Sequence, residues 1–181
     1  MGTLDWSTGG TMSGAGGYAV NSALNLQATG CANCNYSLYL DGATLTNNGV
    51  ATQGAGLGTG SAIPNLYLSN GAVISNAATR TWNLDYGNIY NSGGTGVNQF
   101  NNAGTLTTTA AVAGNGGGTI DAVFANSGAV TLPNSGLTLR GGGTSSGVFN
   151  LATGTTLVFD NVENNGTPFN LTHAAPITGT G

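Results

Sequence analysis

The residues able to do chemistry are few and scattered. The string "CANC" sets Cys31 and Cys34 in C-x-x-C spacing. Such a pair is redox-active in a thioredoxin-like βαβ setting, and no alternation of strand and helix signals surrounds it. A zinc site would need two further thiol or imidazole ligands, and the one histidine, His173, is far along the chain. The spacing reads as a local disulfide between Cys31 and Cys34 that pins a corner, with free thiols as the alternative. The loop closed would be small, so chain entropy limits its effect to about 2 kcal/mol.

Asp160 and Glu163, in "FDNVEN", are the closest acidic pair. Most glycosidases use two carboxyls, about 5–5.5 Å apart when retaining and about 6.5–9.5 Å when inverting. Any loop with two acids can meet such distances, so the pair reads as a solvated turn. Asp5, Asp41, Asp85 and Asp121 are dispersed, and neither a D-x-D-x-D-G loop nor a Gly/Asp nonapeptide array suggests calcium. His173 has no Ser or Asp partner in a triad motif, and no G-x-S-x-G string occurs. "GNGGGT" (114–119) has neither the lysine nor the following helix of a phosphate loop. The expectation is a chain without catalytic residues, metal or cofactor.

Composition narrows the partners. Of 181 residues 4% are charged, against about 25% in ordinary soluble domains. Arg80 and Arg140 are the only basic side chains besides His173, and the net charge is −4. Nucleic acid binding draws on clustered Lys and Arg, so it is excluded, as is a basic membrane-surface helix. No apolar run reaches the roughly 20 residues of a membrane span. Disorder usually pairs low hydrophobicity with high charge, whereas here 39% of residues are hydrophobic. The opening "MGTLDWSTGG" lacks the basic and apolar regions of a signal peptide. The chain reads as a mature or excised piece, with Met1 and Gly2 added to it.

What positions these residues is a repeat. "FNNAGTLTTT" starts at Phe100, and "FANSGAVTLP" at Phe124 matches it in register. "SLYLDGATL" and "NLYLSNGAVI" likewise set Leu38 and Leu66 at matching positions. Each unit is a short alternating strand followed by a Gly/Asn turn, with Asn48-Gly49, Asn70-Gly71 and Ser127-Gly128 expected to supply positive φ. No window carries an apolar stripe of helical period. Imperfect self-similarity with a period of about 20–30 residues signals a solenoid. The predicted fold is all-β, a right-handed parallel β-helix of roughly seven coils of about 24 residues, roughly 35 Å long at about 4.8 Å per coil. An antiparallel β-sandwich is the alternative. Residues 1–30 are expected to form an irregular coil or cap, and 31–181 the coils, continuing beyond the fragment.

On this fold Phe100 and Phe124 stack in the core, and Asn101 or Asn102 meets Asn126 in a polar ladder. With Leu38, Leu40, Leu66 and Leu68 inward, Tyr39 and Tyr67 point outward. Trp82, Leu84 and Tyr86 have opposite parity to Asn83 and Asp85, so one set is buried. Exposed Tyr39, Tyr67, Trp82 and Tyr86 would be the candidates for stacking on sugar rings. "TLTTT" (105–109) raises ice binding, but "AVTLP" stands where the threonine pattern should recur.

"FNNAGTLT", "FANSGAVTL", "LTLRGGGTSSGVFNLATGTTLVF" and "ITGTG" carry a resemblance. The stretch from Phe100 to Gly181 resembles the repeat region of large secreted bacterial β-helix proteins, of the adhesin, filamentous-haemagglutinin-like and autotransporter-passenger-like kinds. The resemblance implies export to the extracellular space or cell surface. It implies a structural or adhesive role, as a rigid stalk or fibre-forming rod without catalysis. Partners would be other copies, through the coil ends, or a host-cell or glycan surface. The same scaffold also hosts carbohydrate-binding and polysaccharide-processing modules, which is the alternative function.

Overall fold

The computed structural model describes residues 1–7, 9–27, 35–54, 63–109, 117–160, 169–171 and 176–179. Every regular element among them is a β-strand, and the strands form three parallel sheets, A, B and C, of eight, seven and seven. The chain visits sheet A, sheet B and sheet C in turn and then returns to A. The fold is a right-handed parallel β-helix of about seven coils.

Alternation drives each strand. Thr44–Asn47, Val73–Asn76, Gln99–Asn102 and Val123–Asn126 bury every second residue. Only one face of each strand can enter the narrow interior, so the period-2 pattern sets the register. Phe100 pairs with Phe124, both fully buried, with ring centroids 5.7 Å apart and nearly perpendicular. Trp82 reaches across from sheet A to pack 5.2 Å from Phe100.

Coil length is not constant. The coil from Val130 to its partner Phe149 is short, whereas the one from Ala51 to its partner Trp82 is long. Leu4–Ser7, Gly10–Ser13 and Gly17–Val20 make a regular first coil, each strand paired in parallel with the second. Gly10 stands where Leu38 and Leu66 stand above it. The indole of Trp6 fills the space, its Nε1 only 3.2 Å from where a Gly10 Cβ would lie.

The corner between sheets C and A holds a column of buried amides. Asn47 Nδ2 donates to Asn76 Oδ1 (2.9 Å), Asn76 to Asn102 (2.8 Å), and Asn102 to Asn126 (2.8 Å). Asn126 Nδ2 then donates to Ser145 Oγ (3.0 Å). The second Nδ2 hydrogen turns to a main-chain carbonyl on sheet A: Thr81 for Asn47, Thr105 for Asn76 and Ala129 for Asn102. An identical amide in each coil satisfies donor and acceptor at once, which a charged ladder cannot do.

Two positions after four of these rungs stands a glycine: Gly49, Gly104, Gly128 and Gly147. Gly49 and Gly128 were expected to supply positive φ, and neither has it. Their constraint is the approach of the preceding coil. A Cβ on Gly49 would lie 1.9 Å from the Ser22 carbonyl oxygen, and one on Gly128 2.0 Å from that of Gly104. Of the three expected turn pairs, Asn70-Gly71 has positive φ, at both residues.

Candidate functional site

The strongest concentration of functional side chains is one outward column on sheet B. Parallel pairing places Thr11, Tyr39, Tyr67 and Tyr90 one above another. Asp121, Arg140 and Asp160 continue the column, each one position beyond the paired residues Ile89–Ile120, Ile120–Leu139 and Leu139–Phe159.

The tyrosine rings lie on one another. Tyr39 and Tyr67 have centroids 5.3 Å apart at 25°, and Tyr67 and Tyr90 5.1 Å apart at 34°. Each shared face is closed to a ligand, so the stack presents ring edges and hydroxyls outward. Tyr39, 42% exposed, keeps the face that points toward Thr11. Asn88 Nδ2 donates to the Tyr90 hydroxyl at 2.9 Å. Burial pushes the Tyr90 phenol above its usual range, repulsion from Tyr67 adds to this, and the Asn88 bond opposes it. Beside the column, Asp41 accepts from Asn70 and Ser69, in that order of effect, and is held below the usual carboxylate range.

Above the tyrosines the column alternates in charge. Arg140 Nη1 lies 3.7 Å from Asp121 Oδ1, and Arg140 Nε 3.6 Å from Asp160 Oδ2. One cation between two anions turns a ladder of carboxylates from repulsive to attractive. Arg140→Asp would stack three acids. We expect destabilisation on the order of 1 kcal/mol or more, the part from Asp160 smaller in high salt and the part from buried Asp121 little screened. Urea midpoints of Arg140→Asp and Arg140→Ala check this, and equal losses for the two would contradict the electrostatic account.

The four aromatic candidates do not form one site. Tyr39 and Tyr67 share the stack. Trp82 is fully buried, because strand parity places it inward with Leu84, against the small Ala51 of the coil below; it is a core residue and offers no ring to a surface ligand. Tyr86 sits at a different corner, where its N–H donates to Gln53 O. Tyr90 was missed, although "NIY" at 88–90 answers "NLY" at 65–67. Tyr90 follows Tyr67 at a shorter offset than Tyr67 follows Tyr39, which hid the match. The Asp121–Arg140–Asp160 column was missed for the same reason.

The remaining candidates are dispersed. Asp160 is engaged by Arg140, and its proposed partner Glu163 lies outside the described residues, as do Cys31, Cys34 and His173. Asp5 accepts from Asn25 Nδ2 at 2.7 Å, and Asp85 from the Thr109 hydroxyl. No group of three or more potential metal ligands occurs among the described residues. The threonine pattern on sheet A recurs by half, since Thr107 stacks on Thr131 while Thr105 stacks on Ala129.

The fold defines a class, the parallel β-helix with internal amide and aromatic ladders. Comparison with protein-family models, with curated proteins and with solved structures finds no match.

Proposed function

We propose that this chain is a rigid, non-catalytic segment of a structural or adhesive surface protein, a β-helical stalk or fibre-forming rod that acts outside the cell. The observation that carries the reading is the continuity of the ladders. Four buried asparagines and a serine are hydrogen-bonded in series through five successive coils. Such a column resists bending and slippage, because every rung is held by the next. The outer columns support the same role: on sheet A, Asn25, Thr52, Asn83, Thr107 and Thr131 are neutral and in register above Asp5. The mutual stacking of Tyr39, Tyr67 and Tyr90 argues against sugar stacking as the main activity. Contact partners would be other copies, joined through strand edges at the coil ends, or a host-cell or glycan surface met by the neutral faces.

Negative-stain electron microscopy across a concentration series tests this. Short rods about 35 Å long are expected at low concentration, lengthening to filaments if the ends pair. Compact particles that hydrolyse a polysaccharide in a parallel assay would overturn the reading.

A further inference from the structure

The three stacked tyrosines share one feature that neither a stalk nor a sugar site requires. Parallel, in-register pairing holds Tyr39, Tyr67 and Tyr90 on the same outward position of adjacent coils. At 5.3 Å between centroids and 25° between planes, the Tyr39 and Tyr67 rings are near-parallel and stacked, so a turn of either side chain suffices to bring the two phenols together. Tyr39 is exposed to a diffusing oxidant. Coupling within one chain is favoured by this arrangement: two phenols held in contact, one of them open to solvent.

We propose that Tyr39 and Tyr67 are an oxidative cross-linking site, coupled to dityrosine by hydrogen peroxide and a haem peroxidase. Each phenol loses one electron and one proton to the oxidant. The two radicals join through a carbon–carbon bond between ortho carbons, and each ortho hydrogen then moves to the phenol oxygen. Overall, two tyrosines and one hydrogen peroxide give one dityrosine and two waters. The bond would tie neighbouring coils by closing the loop of chain from Tyr39 to Tyr67. A covalent loop closure of that kind restricts the unfolded chain and raises resistance to unfolding. Tyr90 is the less accessible third member, since Asn88 holds its hydroxyl and burial shields it. The inference rests on the fold and stands whether or not the chain is a stalk.

Cleavage before aspartate yields peptides 5–40, 41–84 and 85–120; Tyr67 is the only tyrosine in the second, and the first holds Tyr18, Tyr36 and Tyr39. Dilute full-length chain is treated with a haem peroxidase and hydrogen peroxide, then digested. The expected product is peptide 5–40 joined to 41–84 through Tyr39 and Tyr67, two hydrogens lighter than their sum, from a chain that still runs as a monomer on a denaturing gel. Tyr39→Phe and Tyr67→Phe each keep the ring stack and should each abolish that product, while Tyr36→Phe and Tyr86→Phe should leave its yield unchanged. Three results would overturn the proposal: links only between chains, the same yield from urea-unfolded chain, or no Tyr39–Tyr67 link under conditions that couple free tyrosine.

Discussion

Asn102→Asp is expected to destabilise the β-helix by about 3–5 kcal/mol at neutral pH, the range for an uncompensated buried charge. The substitution keeps the shape of the side chain and changes one group. Where Nδ2 donates to Asn126 Oδ1 at 2.8 Å and Ala129 O at 3.0 Å, a carboxylate oxygen would face two acceptors. Its other oxygen would still accept from Asn76 Nδ2. Protonation restores one donor, so the folded state favours the acid and raises its pKa above the unfolded value. The penalty therefore shrinks as pH falls through the folded value and is full at higher pH. Asn102→Ala removes the amide without adding charge, and should cost about 2–3 kcal/mol with no such pH dependence. Urea unfolding of both variants across the carboxylate range separates them. Equal, pH-independent losses would show that the ladder is not a hydrogen-bonded chain.

Phe100→Ala should cost about 3–5 kcal/mol by leaving a ring-sized cavity in a fully buried column. Phe100 touches Trp82 on one side and Phe124 on the other, and close packing prevents full collapse around the gap. In a solenoid each coil is stabilised by its immediate neighbours. The lesion should therefore loosen the coils around residues 73–126 before those at the N-terminal end. Amide hydrogen exchange checks this: protection should fall there while strands such as Ala23–Gln27 keep theirs. Uniform loss over the whole chain would mean a single cooperative unit. Phe100→Leu keeps most of the volume and should cost about 1.5 kcal/mol or less.

Much of this architecture is legible in the sequence, because parallel coils repeat their chemistry. "FNN" and "FAN" at matching positions reveal the shared core site of Phe100 and Phe124, and the alternation in "LYL" assigns Leu38 and Leu40 inward and Tyr39 outward. The low charge follows from the same physics, since identical charges one strand apart repel. Parity alone left open which set in "TWNLDY" is buried, and Asn101 and Asn102 were equal candidates for the ladder.

The class of fold, the inward residues of its clearest strands and the neutral character of its internal ladder follow from the sequence alone, because all of them depend on local period. Tertiary structure decided the rest. Coil length varies, so the partner of Tyr67 in the next coil and the alignment of Asp121, Arg140 and Asp160 follow from three-dimensional register, which no fixed sequence offset reveals. The role of Gly49 and Gly128 was likewise set by a carbonyl in the coil below, a contact between residues a full coil apart along the chain. Whether an aromatic ring is a ligand platform or a partner to its neighbour depends on what covers its faces, and for Tyr67 that is Tyr39 and Tyr90.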